Sequence, residues 1–206
     1  MKVLGICGSP RKGGNTETVV NEALGGALQE GAEVDLFCVS GKHIEPCDGC
    51  RTCSQTGVCH IQDDMQDLYK RMLAADAIIF ATPTYSYSMT SQMKMVIDRS
   101  RAMRSPSQTN QITRLANKVG GVIAIAGSLG LIGVVKDLYF HIITNYMLPA
   151  GHVALYALNK GDCDNRINGK RAAFNLGRQM VRLANMKFAY PAELMKEGHA
   201  YGTWDQ

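Results

Sequence analysis

The chain has 206 residues, of which 46% are hydrophobic and 19% are charged, so it can bury a core and is not a disordered segment. Its net charge of +4 is small and its Lys and Arg residues are scattered, which argues against a nucleic-acid partner. No linker interrupts the chain, and this length without one predicts a single domain.

The chain starts with a predicted buried strand, Lys2–Cys7. Its apolar run, Val3–Cys7, is too short for the core of a signal peptide. We therefore expect a cytoplasmic protein, in a reducing compartment where disulfides do not persist. A helix over Thr16–Glu30 and a second strand over Glu33–Val39 follow.

The loop after the first strand, "GSPRKGGNT" (Gly8–Thr16), has the features of a phosphate site. Small and hydroxyl residues let backbone N–H groups surround an anion, and the following helix N-terminus adds a favourable dipole. Gly14-Asn15 stands where a Walker A loop needs Lys-Ser/Thr, and no dinucleotide fingerprint fits. The alternative is a plain loop of turn residues. A phosphate site of this kind suits a bound mononucleotide such as FMN.

Four cysteines lie close together in "PCDGCRTCSQTGVC": Cys47, Cys50, Cys53 and Cys59. Three outcomes stay open, which are a [4Fe–4S] cluster, structural zinc, or no metal. The overlapping C-x2-C spacings favour the cluster, because zinc sites usually separate two knuckles by a longer stretch. Asp63 or Asp64 then caps a helix that ends near residue 74.

A third strand, Asp76–Pro83, leads into "TPTYSYSM" (Thr82–Met89). Tyr85 and Tyr87 supply flat apolar surface, which together with exposed backbone N–H groups suits the side of an isoalloxazine ring. The alternative is a surface turn rich in Tyr and Ser.

The remaining elements continue the alternation of strand and helix, around a polar irregular stretch at 103–117. An uncharged run, Val119–Val135, reaches the lower edge of a membrane span, but Gly127–Gly130 breaks it, so we expect a strand, a loop and a helix. The predicted elements are a helix at Thr90–Arg101, a strand at Lys118–Gly127, a helix at Leu131–Met147, a strand at His152–Leu158 and a helix at Lys170–Lys187.

These units predict an α/β fold, with a doubly wound five-stranded parallel sheet in the order 2-1-3-4-5. The expected domain spans 1–190, with a cysteine-rich insertion at about 40–63 after strand 2 and a C-terminal tail at 191–206. Its ligand site is expected beyond the carboxyl ends of the strands, in the loops after strands one, three and four.

"GSPRKGGNT" together with "PTYSYSMTSQMKMVIDR" (Pro83–Arg99) resembles the NADPH-dependent FMN reductase family, which has the flavodoxin-like fold. The resemblance implies an FMN-binding domain. The implied contacts are Ser9, Arg11, Gly14, Asn15 and Thr16 at the FMN phosphate, Pro83, Thr84, Tyr85, Ser86 and Met89 along the ring, and Gly127 and Ser128 at its other edge. Lys94, Ile97, Asp98 and Arg99 match the family's helix pattern and are interpreted as structural or as part of a subunit interface.

Within that family, the compact run of four cysteines after the second strand resembles the cysteine motif of the iron–sulfur flavoproteins. This resemblance implies a [4Fe–4S] cluster on the four cysteines, near the flavin. The expected function is transfer of electrons from a ferredoxin through the cluster to FMN, and on to O2, peroxide, a quinone or another small organic molecule. No catalytic residue is assigned, and Tyr85 and Tyr87 are the nearest candidates for proton delivery.

Three alternatives remain at this point: an NAD(P)H-dependent FMN or quinone reductase, an electron carrier without its own substrate, and a zinc-stabilised binding module. By analogy the protein is a homodimer or homotetramer, with Tyr201 and Trp204 of the tail at an interface, and no membrane partner. Cys7 and Cys38 are expected to pack in strands, and Cys163 to lie on a polar loop.

Overall fold

Five parallel strands form the central sheet of the computed structural model, which describes residues 1–104 and 113–196. The sheet order is β2-β1-β3-β5-β6, and the short β4 pairs antiparallel with the end of β3. The strands are β1 (Lys2–Cys7), β2 (Glu33–Cys38), β3 (Ala77–Tyr85), β4 (Ser88–Met89), β5 (Val119–Ala126) and β6 (Leu148–Tyr156). The predicted parallel order is confirmed, and the two-residue β4 is the one strand that it lacks.

Helices cover both faces of the sheet. The helices are α1 (Asn15–Gln29), α2 (Thr52–Thr56), α3 (Met65–Ala74), α4 (Ser91–Arg99), α5 (Leu131–Thr144), α6 (Ile167–Asn185) and α7 (Ala192–Lys196). α1 and α6 pack on one face, and α3, α4 and α5 pack on the other. Because both faces are covered, the first part of the central strand β3 is a continuous apolar run, Ala77–Ala81, as its sequence predicts.

α1 and α6 lie backbone against backbone. A Cβ on Gly26 would lie 1.9 Å from the carbonyl oxygen of Phe174, and one on Gly177 would lie 1.8 Å from that of Ala23. Any larger side chain would force the two helices apart.

Several element boundaries differ from the prediction, and α6 for example begins at Ile167 rather than Lys170. β6 begins at Leu148 rather than His152, because Pro149 is tolerated in an edge strand although it cannot donate to the sheet. α5 ends at Thr144, and Tyr146 has a left-handed φ of 52° in the turn that follows. α4 ends at Arg99, where a 3-10 turn over Ser100–Met103 continues.

The uncharged run at 119–135 forms β5, a loop and the start of α5, as predicted. In the described part of the chain, no helix is long and apolar enough to cross a membrane. A short helix, α7, occupies part of the expected tail, and Tyr201 and Trp204 lie outside the described residues.

Candidate functional site

A cavity of about 700 Å³ opens at the carboxyl edge of the sheet. This volume is typical of a site for a cofactor-sized ligand, and the position is the usual one in this sheet topology. Its walls come from the loops after β1, β3, β5 and β6. The lining residues are Ser9, Arg11, Gly14, Asn15, Thr16, Pro83, Thr84, Tyr85, Ser86, Tyr87, Ile125, Gly127, Ser128, Leu129, Ala157, Leu158 and Lys160.

The structure brings together every residue assigned to the cofactor from the sequence except Met89. The Met89 side chain is only 9% exposed and packs in the core beneath the loop. It occupies β4, where its neighbour Ser88 faces outward, so the strand alternation turns Met89 away from the cavity.

The loop after β1 is organised around Ser9. Its hydroxyl oxygen accepts a hydrogen bond from the backbone N–H of Arg11 at 3.2 Å. α1 begins directly after Gly14, so its first N–H groups face the cavity without intrahelical acceptors. Arg11 and these N–H groups form an anion-binding corner.

The loop after β3 is a tight hairpin. Ser86 and Tyr87 both have left-handed φ angles, 47° and 68°, which is unusual for residues with side chains. The side chains of Tyr85 and Tyr87 remain 41% and 71% exposed at the mouth of the cavity. The hydroxyl oxygen of Thr84 is buried and has no partner among the described residues.

The loop after β5 packs against this hairpin. Gly130 has a φ of 92°, and a Cβ there would lie 2.8 Å from the Cα of Tyr87. The glycine therefore allows one loop to approach the other closely.

A fourth wall, the loop after β6, was missed by the sequence analysis. The side-chain amide of Asn15 donates to the carbonyl of Asn159 at 2.7 Å and accepts from the N–H of Gly161 at 3.1 Å. Asn15 therefore braces this loop, and Lys160 brings a second cation to the cavity. The available signal was topological, because a fifth parallel strand must also end at this edge.

The four cysteines line a second, smaller cavity within the cysteine segment, which we define as residues 40–63. Cys47 and Cys50 are exposed, whereas Cys53 and Cys59 are partly buried and pack against the core. The cavity measures about 20 Å³, so any group larger than one ion must extend to the exposed side.

The ligating atoms of Asp48, Cys50 and His60 lie within 4.8 Å of one another. Among the described residues, no three of the four thiol sulfurs are that close. A hydrogen bond of 2.7 Å between Asp48 and His60 accounts for part of this grouping. Backbone and side-chain hydrogen bonds from Cys50, with a further one from His60, lower the pKa of Asp48 to about 2.

A buried ion pair closes the cysteine segment. Asp63 and Arg99 have side chains that are each 1% exposed, and Arg99 Nη1 lies 2.8 Å from Asp63 Oδ2. Burial is the largest single effect and works to lower the pKa of Arg99, but the hydrogen bond to Asp63 together with smaller effects of Tyr69 and Cys59 outweighs it, and the pKa rises. Asp63 was predicted as a helix cap, and its carboxylate does accept from the N–H of Met65, but its partner Arg99 is visible only in three dimensions.

The cysteine segment touches the anion-binding corner directly. The hydroxyl of Ser40 donates to the carbonyl of Pro10 at 3.0 Å, and the N–H of Val39 donates to the carbonyl of Cys7 at 3.0 Å. The loops after the neighbouring strands β1 and β2 therefore contact each other; the first contributes residues to the large cavity, and the cysteine segment begins in the second.

The other three cysteines lie away from the small cavity. Cys7 and Cys38 are paired across β1 and β2, and their mutual hydrogen bond and burial raise the pKa of Cys7. Cys163 is fully buried, contrary to the polar loop expected, and burial raises the pKa of its thiol.

Residues 1–160 match the model of a protein family described as NADPH-dependent FMN reductase. The chain is 35% identical over 196 residues to an iron–sulfur flavoprotein of Methanocaldococcus jannaschii, covering 90% of this chain and 98% of the relative.

Solved structures agree with the fold. RosB, solved with the bound intermediate 8-demethyl-8-formylriboflavin-5'-phosphate, superposes with a TM-score of 0.76 at 16% identity, over 96% of this chain and 85% of that one. A flavodoxin from the domain Archaea superposes with a TM-score of 0.58 at 12% identity, over 90% of this chain and 99% of that one. At these identities the likeness shows the flavodoxin-like architecture alone.

Proposed function

The chain belongs to the NADPH-dependent FMN reductase family, as an iron–sulfur flavoprotein and a flavin-dependent oxidoreductase, and from this premise we propose that it holds two redox centres side by side. In this proposal FMN occupies the 700 Å³ cavity and a [4Fe–4S] cluster is bound by Cys47, Cys50, Cys53 and Cys59. Electrons arrive singly from a ferredoxin-type donor and leave to a small acceptor such as O2, peroxide, a quinone or another organic molecule.

The observation that carries the proposal is the contact between the loops after β1 and β2, one of which contributes to the large cavity while the other begins the cysteine segment. The contact between Ser40 and Pro10 joins the cysteine segment to the corner that suits a phosphate. Electron transfer between two centres needs short separation, and the cysteine insertion follows β2, the strand next to β1, without changing the sheet.

The residues of the large cavity fit FMN. Arg11, Lys160 and the start of α1 suit a phosphate, and the hairpin of Tyr85 and Tyr87 suits a flat ring. The buried hydroxyl of Thr84 offers a hydrogen bond that no described residue satisfies.

The residues of the small cavity fit a cluster by number and by donor type, because four thiolates are the usual ligands of [4Fe–4S]. A tetrahedral zinc ion with sulfurs at about 2.3 Å would hold them about 3.8 Å apart. The wider spread of the four thiols supports a larger group.

When bound, the cluster would supply one-electron transfer and FMN would supply the exchange between one- and two-electron chemistry. The chain's own residues would bind and orient these two groups. The backbone of the hairpin and the loop after β5 form one wall of the cavity. The exposed side chains of Tyr85 and Tyr87 lie at its mouth, where an acceptor would enter. No side chain is needed as acid, base or nucleophile.

Anoxically purified protein tests the proposal. We expect a flavin spectrum, about four irons and about four sulfides per chain. Cys50→Ser should lose the iron and retain FMN, because the two centres use different loops. The matched control is Cys163→Ala, which removes a buried thiol on the other face of the sheet and should retain both. Flavin without iron in the wild-type protein would refute the two-centre proposal.

A second candidate is direct reduction by NAD(P)H, which the family description favours. Nicotinamide would then stack on the ring at the exposed tyrosines. Stopped-flow mixing discriminates, because NAD(P)H would bleach the flavin faster than reduced ferredoxin does. An electron carrier without a substrate would instead show no saturable turnover with any small acceptor.

For partners, we propose a homodimer or homotetramer and a protein donor that docks over the cysteine segment. Exposed apolar side chains along α5 support self-association, with Ile132 at 86% and Ile143 at 48% exposure. The exposure of Cys47 and Cys50 supports electron entry from outside.

A further inference from the structure

Three arginines that follow the hairpin after β3 in the chain donate hydrogen bonds to the cysteine segment. They are Arg99, Arg101 and Arg114. Arg99 donates through Nη1 to the carbonyl of Glu45 at 2.8 Å and through Nη2 to that of Ile61 at 3.4 Å. These carbonyls lie just before the first cysteine and just after the fourth. Arg99 therefore ties both ends of the segment to α4, in addition to its ion pair with Asp63.

Arg114 and Arg101 hold the middle of the segment. Arg114 Nη2 donates to the carbonyls of Gly57 and Ala102. Arg101 Nη2 donates to the hydroxyl oxygen of Ser54 at 3.2 Å. Both contacts fall between the third and fourth cysteines, on or beside α2.

Arg101 and Arg51 bring charge without an ion-pair partner among the described residues to the wall of the small cavity, and of the two Arg101 lies outside the cysteine segment. Arg99 is neutralised by Asp63, and Arg101 has no carboxylate within ion-pair distance among the described residues. Asp98, the acidic neighbour in the same cavity wall, pairs with Lys94. Arg101 lines the small cavity together with the four cysteines, and its hydrogen bond to Ser54 holds the guanidinium at the residue that follows Cys53.

We infer that Arg99, Arg101 and Arg114 are positioning residues of the metal centre, and that the charge of Arg101 favours its reduced state. The inference rests on the proposed function. A thiolate-bound cluster is anionic and becomes more so when it accepts one electron from the donor, which is oxidised by that electron. A nearby guanidinium stabilises the added charge, and it takes up no proton because arginine stays charged throughout.

A redox titration of cluster- and FMN-loaded protein tests the charge. Arg101→Gln should lower the midpoint potential of the cluster and leave that of FMN unchanged, while Arg101→Lys should stay near the wild type. We expect a several-fold smaller equilibrium constant for one-electron reduction, where tenfold corresponds to about 59 mV. The matched control is Arg171→Gln, since Arg171 also donates one hydrogen bond of 3.2 Å to a side-chain oxygen, on remote α6.

An unchanged cluster potential in Arg101→Gln, or equal shifts in the Gln and Lys variants, would overturn the electrostatic role. If Arg101→Gln loses its iron while Arg101→Lys keeps it, the charge is required to hold the cluster and the inference stands. Loss from both variants overturns it.

Hydrogen exchange tests the positioning role whatever the segment binds. Arg114→Gln should speed backbone exchange across residues 50–61 by about fivefold, the equivalent of one lost hydrogen bond. Unchanged exchange there refutes the positioning role. Iron analysis of the wild-type protein separately decides the proposed function, so failure of one is not mistaken for failure of the other.

Discussion

Thr84 carries a buried hydroxyl without a partner among the described residues, in the wall of the large cavity. Burying an unsatisfied polar atom costs about 1 to 3 kcal/mol. We expect Thr84→Val to raise the stability of the FMN-free protein by about 1 kcal/mol and to weaken FMN binding about tenfold. Urea unfolding and fluorescence titration with FMN measure the two effects.

Thr82 supplies the matched control. It is also buried, but its hydroxyl oxygen accepts from the N–H of Thr90 at 3.2 Å, so Thr82→Val should destabilise the protein. A stabilised Thr82→Val, or FMN affinity unchanged in Thr84→Val, would contradict the assignment of the free hydroxyl to the cofactor.

His141 is held uncharged inside α5. Burial, with a smaller effect of Arg104, lowers its pKa to about 4. The unfolded chain takes up the proton near the ordinary pKa of 6.5, whereas the folded chain does so only near 4. Protonation therefore stabilises the unfolded state relative to the folded state as the pH falls from about 6.5 to 4. We expect the free energy of unfolding to fall by about 2 kcal/mol between pH 7.5 and 5, and less in His141→Gln.

Exposed His152 provides the comparison, since it lies on the edge strand β6. Urea unfolding of His152→Gln at both pH values should show the same loss as the wild type. An equal loss in His141→Gln would assign the acid sensitivity to other groups.

At the scale of elements, Asn15 joins the start of α1 to the loop after β6. Its amide makes three hydrogen bonds, to Asn159, Gly161 and Cys163. We expect Asn15→Ala to lower stability by about 1 to 3 kcal/mol and to weaken FMN binding by releasing that wall. Isothermal calorimetry and thermal unfolding measure both.

The control for Asn15 is Asn159→Ala, because the loop uses the backbone carbonyl of Asn159 and not its side chain. This variant should retain FMN affinity. If both variants behave alike, side-chain bracing of the loop is not what shapes the cavity.

The sequence predicted elements well where a local signal exists. The apolar run of β5 and the amphipathic pattern of α1 both correspond to real elements. The start of β6 was missed because Pro149 usually argues against a strand, and its place at a sheet edge is a tertiary fact. The hairpin β4 was missed because two residues carry no periodicity.

At the scale of the whole molecule, α5 presents apolar side chains at the surface. We expect Ile132→Glu to shift the protein toward the monomer, because a buried charge disfavours an apolar interface. Light scattering after gel filtration measures the mass. The control, Leu28→Glu on α1, alters another exposed apolar residue, on the other face of the sheet, and should leave the assembly unchanged.

The candidate site was predictable where its residues follow strands directly. The loops after β1 and β3 and the four cysteines are local patterns that topology brings to one edge. Lys160 and Arg101 carry no such pattern, and they reach the two cavities only through long-range contacts. The ion pair between Asp63 and Arg99 could not be predicted for the same reason, because the two residues are far apart in the sequence.

The glycine contact between α1 and α6 has a consequence for the order of events during biosynthesis. Gly26 and Gly177 join α1 to α6, which is synthesised much later, and domains generally fold as units during synthesis. The hydrogen bonds of Asn15 likewise cannot form until residues 159–163 have been synthesised. The large cavity thus cannot be complete before the loop after β6 and α6 have been synthesised, and we expect FMN capture to follow their emergence from the ribosome.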